Sequence, residues 1–86
     1  MTDSAIATAA ELAPIIERVH GEGHPELTRV RELTEQIATA GPDADVRALF
    51  TELRAVTNSF VIPDDVCETF EATYEALQRA EAELVS

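Results

Sequence analysis

Apart from Pro14, the glycines and prolines of this chain fall at three places: Gly21, Gly23 and Pro25, then Gly41 and Pro42, then Pro63. Both residue types end or interrupt helices, so they divide the chain into four segments. Within each segment the apolar residues recur at steps of three and four, the spacing of a single buried stripe on a helix. Ile6, Ala9, Ala13, Ile16 and His20 form the first seam, which ends on a histidine. Leu27, Val30, Leu33 and Ile37 form the second, and Val46, Leu49, Phe50, Leu53 and Val56 the third. Cys67, Phe70, Tyr74, Leu77, Glu81 and Leu84 form the fourth. Pro14 lacks the N–H that would bond to Ala10, which allows a kink or a fresh start within the first helix, and the kink is the expectation.

The corners carry their own instructions. Pro25 suits the first position of a helix, which makes His24 the expected N-cap and puts Glu26 at the positive end of the dipole. AGPDAD, residues 40 to 45, supplies a helix stop, a proline and two candidate acidic caps. TNSFVIP, residues 57 to 63, breaks the pattern, after which Asp64 is the expected cap of the fourth helix and Glu68 lies in its acidic first turn. Short connections imply antiparallel neighbours. The expected fold is therefore all-α, an up-down-up-down antiparallel four-helix bundle occupying residues 1–86 as one domain. That topology gathers His20, His24, Asn58 and Cys67 on one rim and sends Glu81 towards the other.

Charge excludes two classes of partner. Six basic residues against 17 acidic ones give a formal net charge of -11. The basic residues are all arginine and lie scattered at 18, 29, 31, 47, 54 and 79, so no patch can neutralise a nucleic-acid backbone. An anionic membrane surface repels such a chain, and its apolar runs are too short to span a bilayer. MTDSAIATAAELAP has neither a basic n-region nor a long apolar h-region, and Cys67 has no second cysteine to pair with. A soluble protein in a reducing, cytoplasmic setting is the expectation.

Both histidines of the chain flank a glutamate in His20-Gly21-Glu22-Gly23-His24. Histidines four apart on an unbroken helix can grip one ion. Here glycines and a proline break the helix, and Glu22 is not where a metalloprotease needs it. A weaker metal reading keeps His20 pointing inward with His24 or Glu22 folding over it, a donor set suited to iron or zinc. The structural alternative has His20 bonded to free helix-end carbonyls and His24 acting as a cap. Cys67, near a helix N-terminus, is either an activated thiol or a small buried hydrophobe; burial is the expectation, since the sequence shows no base beside it. Glu81 is either a buried carboxylate ligand or the point where the seam opens to solvent.

Two segments, RVHGEGHPELTRVREL and LRAVTNSFVIPDDVCETFEATYEAL, resemble the Ric (repair of iron centres) proteins of hemerythrin-like fold, especially their short members. The resemblance runs from about Ile15 to Leu84 and rests on V-H-G-x-x-H-P-x-L and T-N-x-(aromatic)-x-x-P-x-x-(V/A)-C-x-(T/S)-(F/Y/W). It implies a di-iron centre held by histidines and bridging carboxylates, and a role in restoring iron–sulfur clusters damaged by nitric oxide or peroxide. His20 matches one of the family's iron-ligand positions. The H-M-x-K-E and S-E-H segments have no counterpart, and the closing H-x-x-x-E would begin just after Ser86. Two irons need about five to seven protein ligands, so the expectation is an incomplete site that binds iron weakly or through a homodimer, with an iron–sulfur or redox protein as partner. The alternative is a non-catalytic helical interaction module that has lost the metal.

Overall fold

The computed structural model describes residues 4–41 and 43–85. Among these residues there are four helices and no strand: α1 (Ala5–His20), α2 (Leu27–Ala38), α3 (Val46–Thr57) and α4 (Glu68–Val85). The Cα radius of gyration is 12.0 Å, the value of about 12 Å expected when a chain of this length is fully collapsed.

Each helix starts and stops for a local reason. Ser4 caps α1, its hydroxyl accepting from the Ala7 N–H at 3.2 Å. The helix then runs through Pro14 without restarting, with Pro14 itself exposed. At its end the Gly21 N–H donates to the Glu17 carbonyl at 2.9 Å. A Cβ on residue 21 would lie 2.4 Å from that same oxygen, so this corner requires glycine.

The start of α2 departs from expectation. Leu27 donates to the His24 carbonyl at 3.0 Å and Thr28 to that of Pro25 at 3.3 Å, which makes residues 24–26 a tight turn before the helix. Glu26, not His24, flanks α2, and it makes no side-chain cap bond. The His24 ring is thereby free to pack elsewhere. Of the two acidic caps foreseen in AGPDAD, Asp45 is the one used, accepting from the Ala48 N–H at 3.1 Å; Pro42 lies outside the described residues.

The connection from α3 to α4 is the most strained part of the backbone among the described residues. Asn58, Ser59 and Phe60 have φ of 55°, 60° and 62°, a left-handed turn made without glycine. Such residues cost about 1–2 kcal/mol each. The offset is visible: the Phe60 N–H donates to the Thr57 hydroxyl at 3.0 Å, and the Phe60 ring is buried edge-on against Tyr74 with centroids 6.2 Å apart. The same ring carries the Arg54 guanidinium 5.4 Å above its centroid. Asp64 does not cap α4; Cys67 immediately precedes it, and its carbonyl accepts from the Glu71 N–H at 3.1 Å.

The stripes converge on one core in which Ile16, Leu27, Val30, Leu33, Phe50, Leu53, Phe70, Tyr74 and Leu77 are buried. α1 is the central element, packing most extensively on α4 and α2, while α3 leans on α2 and only lightly on α4. Alanines at 9 and 13 on α1 and at 76 and 80 on α4, all buried, allow close approach of these helix axes. Three buried threonines are satisfied internally: Thr34, Thr57 and Thr73 each donate to the carbonyl one turn back at 2.7 Å. The stripes thin out at their edges, where Val46, Leu49 and Val56 are half-buried and Leu84 is exposed.

Arginine pairs link neighbouring helices around this core. Arg31 on α2 bonds Glu17 on α1 at 2.6 Å, and Arg29 holds Glu52 on α3 through two nitrogens at 2.5 and 2.8 Å. Arg54 on α3 forms a two-pronged pair with Glu81 on α4. Glu81 is thus a surface ion-pair partner on the edge of the seam. The Arg29 guanidinium beside it holds the Glu52 carboxyl below the usual carboxylate range. These pairs are only partly shielded from solvent and add little stability individually; their use is to fix which helix faces which.

Candidate functional site

The end of α1 and the start of α4 meet where His20 Nε2 lies 3.1 Å from Cys67 Sγ. Both positions follow from the corners: Gly21 stops α1 just after His20, and Cys67 immediately precedes α4. The thiol is exposed to solvent. This corrects the expectation of a buried Cys67, and it supplies the base that the sequence did not reveal. The reason is spatial, since the partner lies 47 residues away in the chain.

The electrostatics of the pair are those of an activated thiol. The hydrogen bond to His20 is the main cause lowering the Cys67 pKa, helped by the backbone N–H groups of Phe70 and Thr69, and together they bring it to about 7. The helix N-terminus acts here as a fixed source of positive potential, because its first N–H groups have no intrahelical acceptor. The thiolate of Cys67 is therefore favoured relative to that of an isolated cysteine.

Phe70 organises the rest of the rim. Its fully buried ring receives the edge of His20 at 5.5 Å and of His24 at 5.4 Å, and it stacks at a tilt on Tyr74 at 4.7 Å. Read from the sequence, Phe70 is an ordinary core aromatic; in the structure it is the platform that sets both imidazoles. His24 Nδ1 lies 3.3 Å from Glu26 Oε2, and Nε2 lies 3.4 Å from Asp65 Oδ1. Nε2 is nevertheless buried without a hydrogen-bond partner, so the contact with Asp65 is one of proximity alone. His24 thus ties the first corner to the loop that carries Cys67. Burial, with the Glu26 charge as a lesser cause, pushes the Tyr74 phenol well above its ordinary range.

The remaining sequence candidates have other places. Glu22 is exposed at the tip of the first corner. Asn58 is exposed, and its left-handed backbone ends α3 by donating to the Arg54 carbonyl. His20, His24 and Cys67 share the Phe70 end of the bundle, whereas Asn58 serves the α3 terminus.

Among the described residues these donors do not assemble a di-iron centre. Among the described residues no three of the histidine, cysteine, aspartate and glutamate side chains form a group that could hold a metal ion. His20 faces a thiol, both nitrogens of His24 face carboxylates, and Glu81 is engaged by Arg54. Among the described residues no helix is long and apolar enough to cross a membrane. Comparison with family models, curated proteins and solved structures returns no match.

Proposed function

We propose that this chain acts in iron–sulfur cluster repair under nitrosative and oxidative stress as a small Ric-like protein whose own metal site is incomplete. The observation that carries this reading is that the two Ric-like segments meet through their most distinctive residues, His20 of the first and Cys67 of the second, at 3.1 Å. Their contact brings the two motif-bearing corners together at one place on the bundle. Iron, in this reading, is held weakly or between two copies, because among the described residues no three donors come together.

Anaerobic incubation with ferrous iron, followed by elemental analysis and a mass measurement in solution, tests the metal part. Iron that is bound before desalting and then lost, or that is retained only in the dimeric fraction, is the expected result. No iron bound to monomer or dimer even before desalting would contradict it. The cellular part is tested by complementation under nitrosative stress, where a folded His20→Ala protein should fail and wild type should succeed. Full rescue by His20→Ala would instead favour the second reading, a non-catalytic interaction module. That reading draws on Ile15 and Val19, one turn apart on α1 and exposed by 39% and 63%, an apolar pair leading to the same corner.

A further inference from the structure

Beside the line of α1 that enters the core runs a second one. Thr8, Leu12, Ile15 and Val19 follow one another at steps of four, three and four, the register of a coiled-coil seam. At about 100° per residue, this seam is centred roughly 90° around the helix from the buried Ala9, Ala13 and Ile16. Leu12 is half-buried, while Ile15 and Val19 are exposed, so the bundle leaves the outer part of the seam uncovered. Glu11 and Arg18 flank it on one side, both exposed and one heptad apart, hence at the same position of the repeat. Neither makes an ion pair among the described residues.

The order of these charges selects the partner. When a second copy lies antiparallel on this face, with the two-fold axis between Leu12 and Ile15, Ile15 of each copy meets Leu12 of the other and Val19 meets Thr8. Arg18 of each copy then comes opposite Glu11 of the other, so a single contact forms two ion pairs. A parallel pair would set each charge level with its own kind and form neither. We infer that the Leu12–Ile15–Val19 seam of α1 is the contact surface of an antiparallel two-fold homodimer, registered by reciprocal Arg18–Glu11 pairs. The seam covers only about 17 Å of helix, and each chain carries -11, so the dimer is weak and reversible. His20 faces Cys67 from the core side of α1; the contact neither uses nor completes a metal site, and it takes from the functional readings above only the exposed apolar pair.

The test is sedimentation equilibrium in buffer containing a chelator, at moderate salt that screens the net charges. Because no iron is present, failure here is distinct from failure of the iron-binding experiment. Wild type should pass from monomer to dimer between micromolar and millimolar concentration. Val19→Ser removes an exposed methyl pair without changing charge, and it should weaken association about tenfold with helix content unchanged by circular dichroism. Arg18→Glu and Glu11→Arg should each also weaken it about tenfold, since both contacts turn from attraction to repulsion. Glu11→Arg lowers the net negative charge, so net charge alone would strengthen the dimer and only the specific pairing weakens it. An equimolar mixture of the two charge variants restores attraction at both contacts and should associate about as tightly as wild type. A wild type that stays monomeric at millimolar concentration, a dimer indifferent to Val19→Ser, or a mixture no tighter than either charge variant alone would overturn the proposal.

Discussion

Phe70→Ala should lower the unfolding free energy by about 3–5 kcal/mol, read from urea melts, and should release both histidine rings together. Phe70 is fully buried and touches His20, His24 and Tyr74, so its removal leaves a cavity at the junction of α1, α4 and the first corner. Domains of this kind have only about 5–15 kcal/mol in total, and much of that would be gone. Phe70→Leu distinguishes platform from filler. It keeps most of the volume and should cost no more than about 1.5 kcal/mol, while still removing the flat ring against which the imidazoles are set.

The second large effect lies at the other junction. Thr57→Val is nearly isosteric, yet it should cost about 2–3 kcal/mol in the same melts. The Thr57 hydroxyl donates to the Leu53 carbonyl at 2.7 Å and accepts from the buried Phe60 N–H at 3.0 Å. Valine leaves that N–H without an acceptor just where three successive left-handed residues already strain the chain. Thr57→Ser keeps the hydroxyl and should fall well short of the valine cost. Equal losses for serine and valine would show that the methyl packing matters and the hydrogen bond does not.

The four helices were legible because their apolar residues repeat at helical spacing and their breakers are concentrated in three corners. The buried members of the first two seams, Ala9, Ala13, Ile16, Leu27, Val30, Leu33 and Ile37, are those the periodicity selects. Corner detail was less legible. His24 and Asp64 have the chemistry of caps, but the turn at residues 24–26 delays α2 and the cap position of α4 falls to Cys67. Periodicity specifies a face of a helix and says nothing of how a connecting loop arrives at its end.

The same limit applies to the site. The shared rim of His20, His24 and Cys67 follows from helix order, which is why their meeting was foreseeable. Cys67 continues the Phe70–Tyr74–Leu77 stripe, yet it is exposed. At the first residue before a helix, that stripe has no facing helix to cover it except the end of α1, and His20 covers one side only. The left-handed turn at 58–60 carried no glycine to announce it. Its sequence signal was Asn58, a residue that tolerates this conformation, followed by an aromatic side chain whose burial holds it.

The site exists only if His20 and Cys67 are neighbours in the folded chain. The direct measurement is a nuclear Overhauser experiment on labelled protein, observing the His20 ring protons against the Cys67 β-protons and the Phe70 ring. With Nε2 and Sγ at 3.1 Å, a His20–Cys67 cross-peak should be strong and accompanied by ring-current shifts of the His20 signals from Phe70. A His20 ring with solvent-like shifts and no cross-peak to Cys67, in a protein whose helices are otherwise intact, would contradict it.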